Sequence, residues 1–122
     1  MATYRAYFYK TSSGKQPAKD FIEALSTRKR ATLRAAIQEI LQEQGIDVCA
    51  TEWGKNLGKG LCEFRVRDRG VVLRMFFHAH GDKLILLLSG FDKGRRGGGK
   101  RQQKAIDQAR QYLADFKNNH SE

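Results

Sequence analysis

The chain has 122 residues, 40% of them hydrophobic, and its 23 Lys and Arg outnumber 13 Asp and Glu for a formal net charge of +10. That length supports one core and excludes two separate ones, and no apolar run approaches the roughly 20 residues needed to span a bilayer. The charge points to a polyanionic partner, nucleic acid first, with a plain basic surface as the bland alternative.

The first residues, MATYRAYFYK, lack the charged-then-apolar order of a secretory signal. Residues 4–10 are rich in aromatics and predict a strand, punctuated by TSSGKQP. Pro17 suits the first position of a short helix, PAKDFIEAL, that buries Phe21, Ile22 and Leu25. Ser26 or Thr27 caps a second helix, which runs to about Gln44 and stops at Gly45. Its apolar residues Leu33, Ala36, Ile37, Ile40 and Leu41 recur at helical spacing, while Arg28, Lys29, Arg30 and Arg34 crowd its first turns. Cations there oppose the helix dipole, so either an acidic partner or plain solvation has to account for them.

A loop with Trp53 and Lys55 follows, then three strand-like runs at 61–67, 71–80 and 83–91 joined by short DRG and GD turns. A last helix is predicted over 101–117, with Ile106, Ala109, Leu113 and Phe116 inward. The order predicts one α+β domain over 1–117, with helices on one face of a mostly antiparallel sheet, and a disordered tail at 118–122.

In LCEFRVR, Cys62, Phe64 and Val66 share one face, and Glu63, Arg65 and Arg67 the other. The ionic face is expected to meet water or a ligand. Arg74 interrupts the apolar run VVLRMFF and needs an anion, either Glu63 or a bound phosphate. If Glu63, Arg65 and Arg74 face solvent, cleavage chemistry is favoured; if they are buried in structural pairs, binding readings gain.

The segment 94–100 spells G-x-x-x-x-G-K, but Arg101 stands where a phosphate-binding P-loop places the Ser or Thr that holds magnesium, so the match is accidental. His78 and His80 share a strand face and are too few for a metal site, so no metal or other cofactor is expected. General acid–base work and a plain strand end both remain open for them. Tyr112 belongs to the apolar stripe of the last helix, and Trp53 reads as a core edge. Cys49 and Cys62 form no C-x-x-C pair and read as reduced thiols of a cytoplasmic protein. What remains is a set of cations around the three-strand unit: Lys55, Lys59, Arg65, Arg67, Arg74, Lys93, Arg95, Arg96, Lys100 and Arg101. Such a surface suits a backbone phosphate and the extra charge of a pentacoordinate transition state.

The ordered frame WGKNLGKGLCEFRV (53–66), VLRMFF (72–77), LILLLSGFDK (84–93) and ARQYL (109–113) resembles the phage-derived HigB-like toxins of the RelE/ParE superfamily. The resemblance implies a curved sheet flanked by helices, in the toxin of a type II toxin–antitoxin pair. The implied activity is ribosome-dependent endonuclease action on mRNA, inhibiting translation without a cofactor. The implied partners are a HigA-like helix-turn-helix antitoxin and the 70S ribosome with its mRNA and rRNA, with no membrane. Carried onto matching positions, it implies Arg65 and Arg74 at the phosphate, Lys55 and Lys93 in RNA positioning or proton transfer, and Glu63 orienting an arginine. Lys59, Arg67, Arg95, Arg96, Lys100 and Arg101 are then expected to bind RNA or the ribosome. Where the family commonly has a second lysine after G-F-x-K this chain has Gly94, and RRGGGKR replaces the usual Pro-containing linker. Rival readings are a gyrase inhibitor of the ParE branch and a basic binding domain without catalysis.

Overall fold

A computed structural model of the chain describes residues 3–81, 83–92, 94 and 99–120, the last of these by its backbone alone. Strand β1 is Arg5–Phe8, α1 is Pro17–Ala24, and α2 is Thr27–Ala36, continued by a π-helical turn at Ile37–Leu41 into the short α3, Gln42–Gln44. A 3-10 segment, Gly45–Ala50, leads to β2 (Gly54–Gly58), β3 (Leu61–Asp68), β4 (Val71–His80) and β5 (Leu84–Asp92). Helix α4 is Gly99–His120.

Local chemistry explains the helix ends. Pro17 opens α1, where its missing N–H costs nothing. The Ser26 hydroxyl accepts from the Lys29 amide and caps α2. Gly45 has φ 58° and lies against the Tyr4 ring, so neither the backbone nor the space there admits a side chain. Helix α4 passes its expected end at Lys117 and is helical through His120, and the rest of the tail expected to be disordered, residues 121–122, lies outside the described residues.

The five strands form one sheet in the order β1-β5-β4-β3-β2, with β1 parallel to β5 and the other pairs antiparallel. The α+β class, the element order and the antiparallel three-strand unit are as expected. Strand β2 stands where a loop was predicted. Its sequence GKNLG has no apolar alternation, and pairing with β3 is what makes it a strand.

The helices divide between both faces of the sheet instead of sharing one. Phe64, Val66, Leu73, Met75, Phe77, Ile85 and Leu87 form one core with Ala18 and Ile22 of α1 and Leu33, Ile37 and Leu41 of the α2 region. On the opposite face Leu61, Phe76, Leu86 and Leu88 pack with Ala109 and Leu113 of α4. The reason lies in β4 and β5, whose apolar residues occur at both parities and need cover on both sides. Phe21 fits against the sheet because Gly90 has no Cβ to collide with its ring.

The basic start of α2 finds its anions within the chain. Arg28 makes paired bonds of 2.6 and 2.7 Å to Asp68 at the end of β3, and Lys29 reaches Asp92 at the end of β5 at 2.9 Å. These pairs fasten α2 to the same end of the sheet at which Arg67 emerges.

Candidate functional site

Directly opposed residues of antiparallel strands share a face of the sheet. The register runs Lys55, Glu63, Phe76 and Ser89 across four strands, and beside it Arg65, Arg74 and Phe91 across three. Phe76 and Phe91 pack with α4, which assigns both rows to the α4 face. A break in register between β4 and β5 adds Leu88 as an extra residue between the partners of Phe76 and Phe77, so Leu88 does not displace Ser89 from this face.

Helix α4 covers only part of that face, and exposure rises along β3. Side-chain exposure is 1% at Glu63, 26% at Arg65 and 56% at Arg67. The expectation of an ionic row open to solvent therefore fails at Glu63 and holds toward Arg67. Arg74 is also buried, at 8%. The physical cause is the apolar cover that Phe76, Phe91 and α4 place over the Glu63 end.

Glu63 joins the cluster. Its Oε1 accepts from the Arg65 Nε at 2.7 Å, and its Oε2 lies 3.4 Å from the Arg74 Nε. The second contact is near enough for charge attraction but not aligned as a hydrogen bond, and Glu63 Oε2, Arg74 Nε and Arg74 Nη1 are all buried without a hydrogen-bond partner. One carboxylate thus faces two guanidinium groups. Burial holds the Arg74 pKa below its ordinary value, Glu63 pulls it back up, and Arg65 and Arg67 push it down. Ser89 Oγ is buried and unpartnered on the same face. Unsatisfied buried polar atoms are costly, and four of those found among the described residues (Glu63 Oε2, Arg74 Nε, Arg74 Nη1 and Ser89 Oγ) concentrate on this face.

The remaining cations separate. Lys55 is exposed on β2, directly opposite Glu63, and belongs with the arginines. Arg67 reaches Glu52 at 3.9 Å, an exposed pair of little energetic weight. Lys100 is exposed in the first turn of α4, and Arg101 places its guanidinium carbon over the Phe91 ring, 5.9 Å from its centre. Lys59 does not join them. It occupies the β2–β3 turn at φ 55°, beside Arg110 and Lys117 around a cavity of about 200 Å³. There Arg110 donates to the Leu57 and Gly58 carbonyls and Lys117 to that of Lys59, which spends two of those cations on the turn itself. Lys93, Arg95 and Arg96 lie outside the described residues.

His78 and His80 lie at the other end of β4 from Arg74. The His78 Nδ1–H donates to the Gly60 carbonyl at 2.8 Å, the two rings are 5.9 Å apart, and His80 meets Phe116 edge-on. Burial lowers the His78 pKa. Neither imidazole adjoins the arginine cluster, so an acid–base role beside it has no support here. Tyr112 packs on Tyr9 at 5.2 Å, and the Tyr9 hydroxyl donates to Asp115, tying the end of β1 to α4. Trp53 stacks on Phe64 at the core edge, as its sequence context suggests. Cys62 is buried, with its thiol pKa pushed up to about 12, and Cys49 is half-buried; both are free thiols.

Arg101 was among the expected cations, but Ser89 and Phe91 had no sequence signal as neighbours of the arginines. A serine in an apolar strand carries no motif, and only the broken register and the return of α4 bring these groups to the arginine face.

The family model described as "Phage derived protein Gp49-like (DUF891)" matches residues 20–114. A comparison with curated proteins found no match. The matched span begins in α1, takes in β2 to β5 with Glu63, Arg65 and Arg74, and ends within α4. The chain belongs to the phage-derived Gp49-like family.

Proposed function

We propose that this protein is the toxin of a type II toxin–antitoxin pair and a HigB-like member of the RelE/ParE superfamily, cutting mRNA on the ribosome in the cytoplasm. The observation that carries the reading is the half-open cluster in which one buried carboxylate, Glu63, serves two arginines. Glu63 fixes the Arg65 Nε, so the rest of that guanidinium is held in one orientation at the open part of the face. Arg74 sits deeper, with Nη1 unpartnered, and adds positive potential beneath the same spot.

A phosphodiester bound there would meet fixed positive charge where its transition state gains negative charge. The 2′-oxygen attacks the adjacent phosphorus and its proton leaves to a base, while the bond from phosphorus to the 5′-oxygen breaks and that oxygen takes up a proton. The products are a 2′,3′-cyclic phosphate and a free 5′-hydroxyl. Arg65 contacts the phosphate and Arg74 backs it. Lys55 and Lys93 position the RNA or move the protons. Arg67 and Lys100 extend the grip along the strand. The ribosome presents the message, and a helix-turn-helix antitoxin covers this basic face.

Induction in a bacterial host, with and without the adjacent reading frame, tests the proposal through the 5′ ends of translated messages. Cleavage within codons supports it. Arg65→Ala and Arg74→Ala should relieve growth arrest in soluble, folded protein, and persistent arrest in both removes them from the site. The burial of Glu63 and Arg74 favours a second reading, in which the cluster is structural and the chain acts by binding, as a gyrase inhibitor or a non-catalytic domain. Intact messages with DNA-damage signalling, or with no signal at all, would select it.

A further inference from the structure

We infer that the Phe91–Arg101 pair is a nucleobase platform, which holds the base next to the phosphate seated at Arg65 and Arg74. This rests on the reading of the arginine face as a polynucleotide site and adds a subsite to it. Two observations converge. Phe91 lies directly opposite Arg74 in the β4–β5 register, completing the row Arg65, Arg74, Phe91. Neighbouring strands are about 5 Å apart, so the ring stands one short step from the phosphate position, within reach of an adjoining base. Arg101 lies over the ring at 5.9 Å from its centre, and it is an exposed residue. A guanidinium within cation–π reach of a ring sets a planar cation beside an aromatic surface, and both are recurrent supports for unpaired bases.

A platform of this kind reads a base by its flat surface.

The test is the affinity of the full chain for a fluorescein-labelled RNA hexamer with 2′-fluoro sugars at every position, which lacks the attacking 2′-hydroxyl and binds without being cut. A series in which each nucleotide in turn is replaced by an abasic one reports which base is held. One position should lose about tenfold in affinity while the others change little. In Arg101→Lys, which keeps the charge and loses the plane, and in Phe91→Leu, that penalty should vanish and the intact hexamer should bind as weakly as the abasic one. Equal tolerance at every position, an abasic penalty unchanged in Arg101→Lys, or no measurable binding by the folded wild-type chain overturns the platform. The larger reading is tested separately. Platform failure with Arg65→Ala still relieving arrest leaves the endonuclease in place, whereas arrest that persists in both arginine variants refutes the endonuclease site whatever the hexamer shows.

Discussion

The two faces of this one sheet follow different rules. The face under α1 and α2 is closed and apolar, with Phe64, Leu73, Met75 and Phe77 fully buried among helix residues. The face under α4 is closed over Leu61, Phe76 and Leu88, but α4 leaves the rest to Glu63, Arg65, Arg67 and Arg74. The first face contributes stability through burial. The second gives up part of its cover and carries buried polar atoms without partners, a cost to folding that the first face avoids. Alternation along β3 creates both faces at once, which is why a single strand supplies core residues and candidate-site residues in turn.

The sharpest way to break the closed face is Phe64→Ala, which should cost about 3–5 kcal/mol in denaturant unfolding, because the emptied space between sheet and α2 cannot fully collapse. Next comes Glu63→Gln on the α4 face. Removing the one carboxylate leaves two arginines uncompensated, with a loss of about 3 kcal/mol expected. The double variant Glu63→Met with Arg74→Met should lose less than Glu63→Met alone, and a larger loss would show that the pair stabilises the fold by itself. Asp92→Ala and Lys29→Ala should each cost under about 1 kcal/mol, since the pair is a quarter exposed, and added salt should shrink the effect further.

The smallest effect is a pH dependence at His78. Its folded pKa is lowered by burial, with Lys117 and His80 also disfavouring the charge, so the unfolded chain binds the proton more readily. This group's contribution is fully present above the unfolded value near pH 6.5 and is lost as pH falls through that value and then the lower folded one. Thermal unfolding followed from pH 7.5 to 5 should show a steeper fall for wild type than for His78→Asn; equal slopes would remove the group from the balance.

Much of the fold could be read from residues directly. Pro17, the Ser26 cap, Gly45 and the short turns bound their elements because each acts within a few residues of itself. Strand β2 could not be read, since GKNLG becomes a strand only by pairing with β3. The placement of α4 on the second face was also hidden, although the mixed parity of VVLRMFF contains the reason. For the candidate site, the parity of Glu63, Arg65 and Arg67 was legible, but the burial of Glu63 was not. Lys59 looked like a member of the set and belongs instead to a turn at which Arg110 and Lys117 meet.

By itself the sequence determined the α+β order, the excess of positive charge and the face on which each β3 side chain would emerge, because these depend on composition and on the period of the backbone. Only the tertiary structure decided which cations are already spent. Arg28 meets Asp68 across 40 residues and Lys29 meets Asp92 across 63, whereas Arg65 and Arg74 must share Glu63. Charge neutralisation depends on distance in space, and distance along the chain does not set it.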